Sequence, residues 1–134
     1  NIRPSRWNKK NLNIFLDSVL KFVDICFLSG EDMNYWKNKN NIKSYEQIVR
    51  KYKLKHSIFR KNAKFTYVFL NKTRYVFKNK LLKTVVDTSG AGDGFNAAYL
   101  SNFIVNNDPL LAIKAGSSLG SKIVMKKGAI VDVK

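Results

Sequence analysis

The spacing of apolar side chains switches repeatedly along this chain between a helical period and short unbroken or alternating runs. That switching restricts the fold to one in which helices and strands take turns. Leu12, Phe15, Leu16, Val19, Leu20 and Val23 recur three and four residues apart, which predicts an amphipathic helix over residues 9–22. Residues 25–28 form a short apolar run between Asp24 and the turn-forming Ser29 and Gly30, as a buried strand of a parallel sheet requires. Ser44 with Gln47 three positions on reads as a capping box, and Tyr45, Ile48, Val49 and Tyr52 give the helix that follows an apolar side. Residues 57–77 alternate and are rich in Phe, Tyr, Val and Ile, which predicts two or three strands with turns at residues 61–64 and at Asn71 and Lys72. Val85 and Val86 read as the end of a further strand. Beyond them come a glycine-rich segment and a helix carrying Phe95, Ala98, Tyr99, Asn102 and Phe103. Asp108 as cap and Pro109 at the first position open the last helix, which Gly128 is placed to stop. With no repeat, no low-complexity tract and only two prolines, the expectation is one α/β layered domain.

Composition bounds the partners. An apolar content of 45% with 13% aromatic residues supports a core. No apolar run approaches the roughly 20 residues of a membrane-spanning helix, so a soluble chain with no membrane partner is expected. The sequence opens on Asn1, and the expectation is a fragment of a longer protein. The lone Cys26 excludes an internal disulfide and fits a reducing, cytoplasmic setting. Twenty-five Lys and Arg against 9 Asp and Glu give a formal charge of +16, the electrostatic footprint of a nucleic-acid binder. The lysines, however, are spread over nearly every polar stretch and accompanied by Asn, as at residues 38–41. The preferred reading is a compositional drift at exposed positions, with no nucleic-acid partner.

Chemistry concentrates in residues 87–95, Asp-Thr-Ser-Gly-Ala-Gly-Asp-Gly-Phe. Gly90 and Gly92 let the backbone turn tightly and approach a ligand, and the first N–H groups of the following helix then face an anion with the positive end of the helix dipole. Asp93 beside such an anion suits a group that takes a proton from an attacking hydroxyl. On the residues alone, a tight turn followed by a helix-start acid fits equally well. No Walker-type glycine and lysine loop occurs.

Residues 87–95 closely resemble the second signature of the PfkB, ribokinase-like carbohydrate kinases. The resemblance implies a ribokinase-like three-layer α/β sandwich with a mainly parallel sheet, of which residues 1–134 are the C-terminal part of a single kinase domain. It implies that Gly90, Ala91, Gly92 and the Asp93 backbone form the anion hole for a phosphoryl group coming from ATP with Mg2+, and that the Asp93 carboxylate is the catalytic base and touches the sugar. The opening residues Asn1, Ile2, Arg3, Pro4, Ser5, Arg6 and Trp7 resemble an element of the 2-dehydro-3-deoxygluconate kinases, departing from it at Arg6. That likeness implies a sugar acid as substrate, with Arg3 facing its carboxylate through a planar, permanently charged guanidinium, and Asn1, Ile2 and Arg3 near the nucleotide.

Weaker likenesses continue along the chain. Residues 27–32 resemble the strand end that carries acids near magnesium, with Asp32 as an indirect partner of the ion or, alternatively, as a helix-start acid. Arg60, Lys61, Asn62, Ala63, Lys64 and Phe65 fall where the family has a glycine turn along the nucleotide. Both glycines are replaced, at Asn62 and Phe65, and Asn62 is a residue that can tolerate the positive φ a glycine would supply. Gly128 and Ala129 match the closing Gly-Ala element, which places Ser117 beside the adenine. His56 has no second ligand at metal spacing, so no metal ligand set is assigned, and Cys26 is read as packing. The resemblance admits a homo-oligomer in the full-length enzyme. A kinase of neutral sugars such as fructose or ribose, and a basic nucleic-acid-binding module, stand as the rival readings.

Overall fold

A computed structural model of the chain describes residues 9–40 and 42–133. The chain divides into two compact units, Asn1–Val76 and Phe77–Lys134.

In the first unit the predicted amphipathic helix is α1, Lys9–Val19, which tightens into a 3-10 turn over Leu20–Phe22. Its buried residues are Leu12 and Leu20. Strand β1, Ile25–Ser29, follows, and then α2, Gly30–Asn40, and α3, Tyr45–Tyr52. The sequence reading gave helix α2 no span, only the alternative of Asp32 as a helix-start acid, because its apolar stripe is short: Met33, Tyr35 and Trp36 are buried and the stretch ends in Lys and Asn. The predicted cap of α3 is present. Ser44 accepts from the Gln47 N–H at 3.4 Å, while the Gln47 side chain reaches back one residue further than a standard box, to the Lys43 N–H.

Three strands complete the unit: β2, His56–Arg60, β3, Phe65–Leu70, and β4, Thr73–Lys78. The sheet order is β1-β2-β3-β4. Strands β1 and β2 run parallel, with Ile25 opposite His56 and Ser29 opposite Arg60. Strands β2 and β3 run antiparallel, with Arg60 opposite Thr66. The sheet is therefore mixed, and its parallel part lies at β1 and β2. Strand β2 is flanked on both sides, and its residues from His56 to Phe59 are all buried, as an inner strand covered on both faces demands. The turn between β3 and β4 is the predicted pair Asn71 and Lys72, at φ of 48° and 72°, the two positive values of a type I′ hairpin.

Trp36, Ile48 and Phe59 are fully buried at the centre of this core. Phe59 meets Phe69 edge-on at 5.6 Å and Tyr45 at 4.5 Å. Polar bonds fasten α1 to it: the Tyr52 hydroxyl donates to Asp17 at 2.8 Å, and the Tyr35 hydroxyl donates to Asn13 at 2.8 Å. The Tyr52 bond, followed by Lys51, holds the Asp17 carboxyl below its usual range.

Beyond the end of β4 at Lys78, the described residues enter no further strand before α4, Ala91–Asn106. Val85 and Val86 are more than half exposed, and the N–H groups of Val86 and Asp87 donate to the Val124 carbonyl instead of to a ladder. That corrects the strand expected there. Asn107, at φ 50°, ends α4, and α5, Pro109–Ile123, begins under the predicted cap, with Asp108 accepting from Leu110 and Leu111 at 2.7 and 3.1 Å. Helix α5 stops at Ile123, five residues before Gly128; that glycine, at φ 100°, shapes the following loop and does not terminate the helix. Phe95 and Tyr99 of α4 and Ala112, Ile113 and Ile123 of α5 are buried.

Two outcomes follow for stability. Lys72 holds a left-handed backbone at a cost of about 1 kcal/mol relative to glycine, so Lys72→Gly is expected to raise stability by about that much in a denaturant titration; a decrease would contradict the turn assignment. Burial pushes the His56 imidazole down to about 4, against an unfolded value of about 6.5. Its folded pKa lies below its unfolded one, so stability is full above about pH 6.5 and declines as the pH falls toward 4. Urea melts at pH 7 and pH 5 check this: the wild type should lose midpoint between them, and His56→Gln should lose less.

Candidate active site

The glycine segment builds a helix start open to solvent. Thr88 and Ser89 lead into Gly90, which is the N-cap of α4 at φ 74°. Three features fix that conformation. The Ala91 N–H donates to the Thr88 carbonyl at 3.3 Å, and the Gly94 N–H to the Gly90 carbonyl at 2.9 Å. The third is steric: a Cβ on Gly90 would collide with the Ala129 carbonyl, so glycine is required both by its φ and by the approach of a second backbone.

No side chain caps α4. Among the described residues, the N–H groups of Gly92 and Asp93 have no acceptor. Two free donors at the positive end of a 16-residue helix make an anion site. Asp93 lies in the first turn of the helix and is exposed. N–H donors that suit an anion and an exposed carboxylate thus occur within one helical turn.

Behind this turn lies Asp87. Its Oδ1 accepts from the Ser89 N–H at 2.8 Å, and its Oδ2 from the Gly128 N–H at 2.9 Å. These two backbone donors hold the carboxyl below its ordinary range. Ser117, on α5, is half-buried and donates to Asn79 at 3.1 Å. The second unit therefore contains Gly90, Ala91, Gly92, Asp93 and Ser117.

The first unit contains the other described candidates. Asp32 is nearly fully buried in the first turn of α2. Its Oδ2 accepts from the Ser29 N–H and hydroxyl, each at 2.8 Å, while the Ser29 oxygen accepts from the Asp32 N–H at 3.3 Å. This reciprocal pair is a capping box closed by Asp instead of Glu, so the alternative reading of Asp32 as a helix-start acid describes its geometry. Arg60 ends β2, residues 61–64 form the hairpin loop and Phe65 opens β3. Asn62 does not use the positive φ that it could tolerate. Its Oδ1 instead accepts from the N–H groups of Lys64 and Phe65 at 2.9 and 3.1 Å, so its side chain shapes the turn that glycine would have shaped by conformation. The Lys64 ammonium lies 5.6 Å from the centre of the Phe65 ring. The start of α2 touches this loop, since a Cβ on Gly30 would come 2.5 Å from the Lys61 carbonyl. Asn1, Ile2 and Arg3 lie outside the described residues.

A nucleotide fits the α4 start, where free N–H donors match phosphate oxygens. Among the described residues no three of His, Cys, Asp and Glu gather at one point.

Comparison with known proteins defines the class first. The fold is that of the ribokinase-like kinases. Fructokinase from Vibrio cholerae O395, solved with fructose, ADP and potassium, superposes with a TM-score of 0.79 at 20% identity, over 96% of this chain and 43% of its own. Ribokinase from Thermotoga maritima gives 0.72 at 20% identity over 84% and 39%. By sequence, the 2-dehydro-3-deoxygluconokinase of Haemophilus influenzae is 27% identical over 137 residues, covering 98% of this chain and 43% of that protein. A family profile for the pfkB family carbohydrate kinases matches residues 1–134. The chain belongs to the pfkB family of carbohydrate kinases, and it spans less than half the length of these relatives.

Gly90→Ala tests the glycine turn directly. It places a methyl group against the Ala129 carbonyl at a positive φ, and is expected to destabilise the protein by about 1–3 kcal/mol in a thermal melt, whereas Ala91→Ser should change it by less than about 0.7 kcal/mol. Equal stability of Gly90→Ala and wild type would refute the close approach.

Proposed function

We propose that the protein containing this chain transfers the γ-phosphoryl group of ATP to a hydroxyl of 2-dehydro-3-deoxy-D-gluconate, giving the 6-phosphate and ADP. The observation that carries the reading is the uncapped start of α4, with the free N–H groups of Gly92 and Asp93 and the exposed Asp93 carboxylate in one turn. The N–H groups bind the oxygens of the transferring phosphoryl group, on which negative charge is concentrated. The Asp93 carboxylate takes the proton of the sugar hydroxyl as its oxygen bonds to the γ-phosphorus, and the bond from that phosphorus to the bridging oxygen of ADP breaks. A divalent cation carried on the phosphates would supply neutralisation of their charge. Ser117 is proposed to face the nucleotide.

For the acceptor, the support is the opening Asn1 to Trp7 element and the Haemophilus influenzae relative. Arg3 is proposed to bind the substrate carboxylate as a planar pair. A second reading, a kinase of a neutral sugar, is supported by the fructokinase neighbour and its bound fructose.

An ADP-release assay on the gene product that carries this chain, with 2-dehydro-3-deoxygluconate, fructose and ribose, separates these readings. The sugar acid alone should be turned over, and Asp93→Asn should lower kcat by about 10²–10⁴-fold. Turnover of only a neutral sugar would replace the substrate assignment. A wild-type rate in Asp93→Asn would refute the base.

A further inference from the structure

Ser117 lies beside the start of α4, and its neighbours on α5 fix that position. A Cβ on Gly120 would stand 3.3 Å from the Ala91 carbonyl oxygen, and one on Gly116 would stand 2.9 Å from the Phe95 carbonyl oxygen. The stretch of α5 from Gly116 to Gly120 is therefore packed along the first turns of α4. Ser117 is about 4.5 Å along the helix axis from the glycine that meets Ala91. Its hydroxyl donates to Asn79 Oδ1 at 3.1 Å, in a partly buried place. Asn79 is the first residue after β4.

A hydroxyl has one hydrogen and two lone pairs. With the hydrogen held on Asn79, the Ser117 oxygen offers a neighbouring ligand its lone pairs only, and the group that suits it is an N–H donor. Among nucleobases, adenine presents an exocyclic amino group at the ring position where guanine presents a carbonyl oxygen.

We propose that Asn79 is a positioning residue which locks the Ser117 hydroxyl as an acceptor, so that the site takes a nucleotide whose base carries an amino group in preference to one with a carbonyl there. This rests on the phosphoryl-transfer reading above and gives that reading a physical basis for the choice of ATP. Ser117 can meet a carbonyl base only by turning its hydrogen toward the base, and that breaks the bond to Asn79. The loss of one hydrogen bond amounts to about a tenfold discrimination. Without an acceptor at residue 79 the hydroxyl turns freely, accepting from an amino group or donating to a carbonyl.

ITP tests this, because it differs from ATP only in carrying a carbonyl in place of the amino group. The measurement is kcat/KM for ATP and for ITP in the full gene product, compared between wild type and variants. Wild type should favour ATP by about 10-fold, and the difference should lie in KM more than in kcat, as for binding remote from the reacting atoms. In Asn79→Leu the ratio should fall to near unity, whereas Asn79→Asp, which keeps an oxygen acceptor, should retain the preference. Ser117→Ala should also bring the ratio near unity. A variant that is merely less stable would slow both nucleotides alike and leave the ratio unchanged. A ratio near unity in wild type, or the wild-type preference persisting in Asn79→Leu, would overturn the lock while leaving the kinase reading in place. No turnover of either nucleotide by wild type, with any sugar, would overturn both. Should Asn79→Leu fail to fold, Ser117→Ala carries the test, and a wild-type ratio there would overturn the proposal.

Discussion

The backbone of Ala129 lies against the Cα of Gly90, on the side where any other residue carries its Cβ. Much of the second unit follows from that contact. It requires glycine at a left-handed N-cap, and an N-cap without a side chain leaves the first donors of α4 uncapped. In an ordinary helix a Ser or Asp would satisfy them, as Asp108 does one helix later. The helix starts of α5 and α4 are thus of opposite design: α5 is closed by its own side chain, and α4 is left without a side-chain cap.

The same contrast appears in the first unit. Helix α2 begins right after a strand, and there Ser29 and Asp32 satisfy each other's groups and close the start. An acid in the first helical turn therefore carries no fixed meaning. Asp32 is buried and occupied by its cap, whereas Asp93 is exposed in a turn whose neighbouring N–H groups lack partners. What distinguishes them is where the local hydrogen bonds end, and that depends on the residue preceding the helix.

Features set by neighbours in sequence were legible in it. The period of Leu12 to Leu20, the Ser44 and Asp108 caps and the Asn71 and Lys72 turn each rest on residues within a few positions of one another, and all of them are present. Readings that depended on distant partners failed. Val85 and Val86 have strand composition, yet their region bonds to Val124 instead of to a strand. Gly128 looked like a helix stop, but its N–H belongs to Asp87, 41 residues away. The span of helix α2 was not legible because its buried apolar residues, Met33, Tyr35 and Trp36, cover little more than one turn. The Asp87 turn onto Ser89 had a local signal, an Asp two residues before the acceptor-bound N–H, whereas its bond to Gly128 had none. At the candidate site, the glycines and Asp93 were legible as a motif, and Asn62 changed role from bearing a positive φ to accepting two N–H bonds.

The high positive charge, +16 over 134 residues, gains no single structural role from this architecture, and the site is built from backbone donors, not from lysines. The central claim is therefore geometric: the N–H groups at the start of α4 receive the transferring phosphoryl group. A crystal structure of the full gene product with ADP, Mg2+, aluminium fluoride and sugar measures this most directly. The account predicts the fluoride group within about 3 Å of the Gly92 and Asp93 nitrogens, with the Asp93 carboxylate on the sugar hydroxyl. A fluoride group held elsewhere, with those two amides facing only water, would contradict it.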